Sequence, residues 1–153
     1  MIRKAEISDI PALEKLLLQV QNVHAVARPD IFKIGGVKYD EAALKALLSD
    51  PSRPVFVYED TSVDGYVFCV LTETEENTSL KKRKTLYIDD LCVDEKKRKR
   101  GIGKSLYDYA VNFAKVSGCD SVTLNVWHSN ENAVAFYNSL GLKPLKTTME
   151  QIL

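Results

Sequence analysis

Three short stretches of this chain place chemically capable residue types at defined spacing. The first, Arg98-Lys99-Arg100-Gly101-Ile102-Gly103, joins the apolar run Leu91-Cys92-Val93 to a helical pattern. Glycines at a strand-to-helix turn let backbone N–H groups approach a phosphate where the helix dipole is positive, so a phosphorylated ligand is the chemistry this turn suggests. The second is the pair Asp89-Asp90 within Leu86-Tyr87-Ile88-Asp89-Asp90-Leu91-Cys92-Val93. Successive strand residues point to opposite faces, so one of the two carboxylates is expected to face inward. Burial and a neighbouring like charge would raise its pKa, which suits a proton acceptor near neutral pH; a strand end with both groups solvated is the plain alternative. The third is Tyr137, beside Phe136 just past the middle of the last helical run. A tyrosine there ordinarily packs in a core with its hydroxyl at the edge.

Several chemistries are disfavoured. The turn lacks the rest of a G-x-G-x-x-G dinucleotide fingerprint, because Leu106 follows Gly103-Lys104-Ser105, and Arg98 stands where a P-loop has its first glycine. Cys69, Cys92 and Cys119 are odd in number and show no C-x-x-C spacing, so neither a disulfide framework nor a metal site is expected, and they read as buried thiols of a reducing cytosol. Lys+Arg and Asp+Glu are 21 each, so no global charge draws the chain to nucleic acid or to a membrane. The stretch from Met1 to Asp9 has no long apolar run of the kind a secretory signal or membrane span needs, and the expected location is cytoplasmic.

The elements that must position these residues follow from periodicity. At 153 residues the chain fits a single domain over 1–153. Ile2 to Glu6 reads as a strand, and Ser8-Asp9-Ile10-Pro11 offers an N-cap and a first-turn proline for a helix to about Ala25. Its apolar face carries Leu13, Leu17 and Val20, with Leu16 and Val23 on the next row. Arg28-Pro29-Asp30 breaks that helix, and Asp40 caps a second one bearing Leu44 and Leu47. Pro54 to Glu59 and Gly65 to Glu73 form a hairpin about Thr61-Ser62-Val63-Asp64-Gly65, and Leu86 to Val93 is a further strand. A helix from Gly103 to Ser117 ends at Gly118, a strand spans Val122 to Trp127, a helix spans Asn130 to Leu140, and Lys146 to Ile152 supplies one or two last strands interrupted near Met149.

With the order of elements in place, Arg98-x-x-Gly101-x-Gly103 after a strand is similar to the acyl-CoA-binding motif of the GNAT superfamily of N-acetyltransferases. Asn130-x-x-Ala133-x-x-Phe136-Tyr137-x-x-x-Gly141-Leu142 resembles that family's following motif, at the expected distance downstream. The resemblance covers essentially the whole chain and is specific from about Leu86 to Leu142. It implies an α/β (α+β) fold: a mixed, mostly antiparallel sheet of six to seven strands with splayed central strands, flanked by about four helices. It also implies acetyl-CoA as donor and direct transfer to a primary amine of a small molecule or peptide.

The family further implies that backbone N–H groups of Lys99, Arg100, Gly101, Ile102, Gly103 and Lys104, with Arg98, hold the pyrophosphate, while pantetheine pairs with Leu91, Cys92 and Val93. An unpaired strand edge has the N–H and C=O groups to receive such an arm. Lys99 stands where the family commonly has glycine, and its charge reads either as solvated or as neutralising phosphate. By resemblance Tyr137 protonates the leaving thiolate, Asp89 is the base and Asp90 an amine-orienting or structural anion. Asn130 contacts the cofactor or caps its helix. His24, on the stripe Leu13, Leu17, Val20, reads first as a helix-end packing residue. His24 and His128 are candidates for the acceptor side, and Glu73 and Glu75 there with Asp89 and Asp90 would favour a cationic amine. A non-catalytic acyl-CoA sensor or an RNA-binding module on the same fold is the alternative, although the basic runs are short for nucleic acid. A homodimer is possible within the family.

Overall fold

The computed structural model describes all 153 residues. Five strands, β1 (Ile2–Lys4), β2 (Val55–Glu59), β3 (Val63–Thr74), β4 (Arg83–Val93) and β5 (Ser121–Leu124), form one sheet in the order β1-β2-β3-β4-β5. The first four are antiparallel to their neighbours, and β5 runs parallel to β4. Four helices accompany them: α1 (Ile10–Ala27), α2 (Glu41–Leu48), α3 (Ile102–Val116) and α4 (Glu131–Ser139).

The sheet separates two cores. Alternate side chains of β2 and β3 send Val55, Val57, Tyr66 and Phe68 toward α1 and α2, where Leu13, Leu16, Leu17, Leu44 and Leu47 meet them. Phe56, Val67 and Cys69, with Leu86 and Ile88 of β4, face α3, whose Ile102, Leu106, Ala110 and Ala114 lie at helical spacing. Each fully buried leucine contributes about 2 kcal/mol of transfer free energy.

Three sequence expectations change. Asp9 is buried but does not cap α1; its carboxylate turns back to accept the Glu6 N–H at 2.8 Å and to pair with both terminal nitrogens of Arg3 at 2.8 and 2.9 Å. Asp64-Gly65 belongs to β3 rather than to the turn. A Cβ on Gly65 would lie 2.9 Å from the Cys92 carbonyl oxygen, so the glycine serves the close approach of β4. The sheet has five strands rather than six or seven, because residues 143–153 form no strand and every one of them is exposed. Asp40 caps α2 as its sequence suggests, accepting from Ala43 N–H at 2.8 Å.

Two irregularities in β4 position the site. β5 pairs only with Thr85–Ile88, so from Asp89 onward the outer edge of β4 has no strand beside it. Across β3, Phe68 faces Asp90 while Cys69 faces Ile88, which leaves Asp89 as the extra residue of a β-bulge.

Candidate active site

The bulge changes the meaning of the acidic pair. Strict alternation would send Asp89 and Asp90 to opposite faces, but the extra residue puts both on the α1–α2 side. Asp89 Oδ2 accepts from the Tyr39 hydroxyl at 2.5 Å, Tyr39 stacks on Phe68, and Lys38 Nζ lies 3.0 Å from Asp89 Oδ1 and donates to the Asp89 carbonyl at 3.0 Å. Asp90 Oδ2 accepts from the Tyr66 hydroxyl at 3.0 Å. Burial raises the Asp90 pKa above its ordinary value of 3.8, and the Asp89 charge adds to the rise against the opposing pull of Lys38 and Tyr66.

Tyr137 is carried by α4. Asn130 begins α4 by accepting the Ala133 N–H on its side chain at 3.2 Å, and Phe136 packs over Gly103, where a Cβ would sit 3.2 Å from the Phe136 ring. Tyr137 follows on α4 with its ring centroid 5.1 Å from that of Phe136. Burial pushes its phenol up to about 12, with further contributions from Asp90, Cys92 and Tyr107, and the hydroxyl donates to no protein acceptor. Burial likewise pushes the Cys92 thiol up to about 12, and its Sγ leans on the Leu16 carbonyl; this is an inert thiol, not a nucleophile.

The glycine turn has the shape of an anion cradle. Lys99 at φ 62° and Gly101 at φ 79° are both left-handed, and Gly101 leads directly into α3. None of the backbone N–H groups of residues 98–104 has a protein acceptor. Arg98 folds back, its Nε donating to the Val93 carbonyl at 3.2 Å, and Lys104 pairs with Asp108. Lys99 and Arg100 are exposed and form no ion pair. Ile102 is a core residue whose contribution to the cradle is its N–H. Leu91 and Val93 pack toward α3, with the free edge of β4 beside them.

A separate 250 Å³ pocket opens between the end of α1 and the start of α4, lined by Val23, His24, Trp127, Ser129 and Asn130. His24 stacks on Phe32 at 4.8 Å, and burial, then the Lys38 charge, lowers its pKa. His128 is exposed and outside that lining, and Glu73 stands opposite Lys84 at the far end of the β3–β4 hairpin, paired to it at 3.8 Å. Glu73 therefore stands apart from Asp89 and Asp90. Lys38, Tyr39, Tyr66 and Arg53, whose guanidinium donates to Tyr39 Oη at 2.9 Å, were not legible as site residues. They share no motif and reach the acidic pair only through the fold.

The sequence profile described as Acetyltransferase (GNAT) family matches residues 17–142. In Drosophila melanogaster, the protein named "Probable N-acetyltransferase san" is 29% identical over 112 residues, 72% of this chain and 58% of that protein. Thialysine N-epsilon-acetyltransferase of Bos taurus is 27% identical over 139 residues, 91% of this chain and 75% of its own length. The chain thus spans little more than half of the Drosophila relative. The crystal structure of a tetramutant of the BH1408 protein from Bacillus halodurans superposes with a TM-score of 0.97 at 33% identity, over 100% of this chain and 99% of that one.

Proposed function

The chain belongs to the acetyltransferase (GNAT) family, and we propose that it moves an acetyl group from acetyl-CoA to a primary amine by direct attack in a ternary complex. What supports this reading is the row of unpaired N–H groups at 98–104 beside the free edge of β4, with Asp90 at the start of that edge and Tyr137 near enough to feel its charge. The chain's own residues fit the cofactor: unpaired N–H groups at 98–104 for its diphosphate, free cations at Lys99 and Arg100 for its charge, and the open edge at Leu91–Val93 for an extended amide arm. When bound, acetyl-CoA supplies an acyl group activated as a thioester.

Asp90, rather than Asp89 as the family pattern first suggests, takes the proton of the acceptor amine in this reading. Its raised pKa suits proton acceptance near neutrality, whereas Asp89 is already engaged by Lys38 and Tyr39 and serves as the anion that holds a cationic acceptor. Tyr137 Oη stays protonated throughout the neutral range and supplies the proton that the departing thiol requires. Asn130 orders the start of α4 and so fixes Tyr137. His24 and Trp127 form part of the wall on the acceptor side. No helix is long and apolar enough to cross a membrane.

The acceptor class is open to direct assay: thiol release from acetyl-CoA with polyamines, aminoglycosides, lysine-like amino acids including thialysine, and short peptides. Turnover with one class, lost in Tyr137→Phe, is the expected result. Acetyl-CoA binding with no turnover on any acceptor would favour the sensor instead.

A further inference from the structure

Lys38 holds a primary amine against the acidic pair. Its Nζ lies 3.0 Å from Asp89 Oδ1, donates to the Asp89 carbonyl at 3.0 Å and stands 5.7 Å from the centre of the Tyr39 ring. β5 accompanies β4 only as far as Ile88, so this ammonium sits where the outer edge of β4 becomes free. The chain's other lysine ion pairs go to Asp94, Glu41, Glu73, Asp64 and Asp108, none of them Asp89 or Asp90.

The residues that follow Lys38 fix it in place. Tyr39 stacks on Phe68, its hydroxyl donates to Asp89 Oδ2, and it accepts from Arg53 at 2.9 Å, while Asp40 caps α2. The segment between α1 and α2 is thereby tied to β4 beside the amine. The Lys38 side chain itself remains 42% exposed, so its flexible four-carbon stem can swing Nζ off Asp89 without moving the backbone. An ion pair that only fastened this segment would be served as well by arginine, whereas lysine adds a nitrogen that becomes a nucleophile once it loses a proton.

We propose that Lys38 is itself an acetyl acceptor of this site, so that the chain acetylates its own Lys38 from acetyl-CoA within one molecule. The inference rests on the acetyl transfer proposed above. An extended arm that leaves the N–H row at 98–104 and follows β4 back past Val93 and Leu91 arrives at Asp90 and Asp89, beside this nitrogen. One proton of the Lys38 ammonium passes to Asp90, and the freed lone pair attacks the thioester carbonyl carbon. The C–N bond forms, the C–S bond breaks, and sulfur leaves as the thiol with the Tyr137 proton. The nitrogen's second proton restores the Tyr137 phenol through water, and Asp90 returns its proton to solvent. The products are Nε-acetyl-Lys38, CoA and one proton. The amide is neutral, so it no longer pairs with Asp89, and that carboxylate is released to a cationic acceptor.

The test is intact-mass spectrometry and peptide mapping of the full chain incubated with acetyl-CoA and no added amine. The expected result is one acetyl group per chain, on Lys38, gained at a rate per chain that dilution does not change. Lys38→Arg, which keeps a cation on Asp89 but offers no acceptor amine, is expected to gain none, and Tyr137→Phe to gain it about a hundredfold more slowly. A chain purified already acetylated at Lys38, in the natural protein and not in Tyr137→Phe, is the same result reached in the cell. Acetylation spread over the exposed lysines at equal rates in both proteins overturns the inference, and so does a rate that rises in proportion to chain concentration. A chain whose Lys38 stays bare while it acetylates an added amine overturns the inference and leaves the proposed transfer standing. A chain that acetylates neither Lys38 nor any added amine overturns both.

Discussion

Asp89 and Asp90 are neighbours in sequence with different surroundings, and the difference decides what each can do. Asp90 is half-buried with the Tyr66 hydroxyl as its hydrogen-bond donor, and burial raises its pKa. With Asp90 as the proposed base, activity would require the ionised form, so kcat/KM should rise with pH through a limb above the ordinary 3.8, and Asp90→Asn should remove that limb along with most of the rate. A limb that persists in Asp90→Asn would assign the base elsewhere. Tyr137, near 12, should add no descending limb below pH 10 or so. Lys38 places an ammonium on Asp89, where a cationic acceptor would bind. Lys38→Met should therefore lower KM for a cationic amine by about fivefold, the equivalent of roughly 1 kcal/mol for a partly exposed pair. A raised KM would show that Lys38 assists the acceptor instead. The sequence displayed both carboxylates but not their common orientation, because the bulge at Asp89 is a property of the β3–β4 register rather than of either strand alone.

At the scale of elements, the turn into α3 was read as a cradle from its glycines, and Lys99 stood out as a departure from the family pattern. The backbone explains the departure's cost: Lys99 holds φ 62°, a conformation that favours glycine. Relief of roughly 1–2 kcal/mol of left-handed strain, less roughly 0.5–1 kcal/mol of glycine entropy, makes Lys99→Gly stabilising by about 0.5–1 kcal/mol. Thermal unfolding should show a rise in Tm of about 2 °C, and a fall would mean that the lysine side chain contributes packing or charge that outweighs the strain. The start of α1 was misread for a related reason. Asp9 has the residue type of a helix cap, yet Arg3 in β1 claims its carboxylate and lowers its pKa. That pair contributes stability above the ordinary value of 3.8, which is lost as pH falls through the depressed folded-state value. Asp9→Asn should cost about 2 kcal/mol at neutral pH and flatten the acid limb of stability. An unchanged limb in chemical denaturation would place the acid sensitivity elsewhere.

For the whole molecule, the order of elements was legible in the apolar pattern: stripes on α1, α2 and α3, and continuous apolar runs in β2 and β3 that are buried on both faces, divide the chain into two cores on one sheet. The strand count was overestimated because the tail has the composition of a strand, but pairing is non-local and no strand of this sheet pairs with the tail. The candidate site was named from the sequence where a motif carries it, at residues 98–104, Asn130 and Tyr137. It was hidden where tertiary packing supplied it, at Lys38, Tyr39, Arg53 and Tyr66. The account's central claim is that this molecule binds acetyl-CoA at the opening of β4 and uses Tyr137 for chemistry rather than for binding. The most direct test is to measure acetyl-CoA affinity by calorimetry and acetyl transfer by thiol release in the same preparations of the natural protein and Tyr137→Phe. The account predicts similar affinity and a rate loss of about 10²–10⁴. Equal rates in the two proteins, or a loss of affinity as large as the loss of rate, would contradict it.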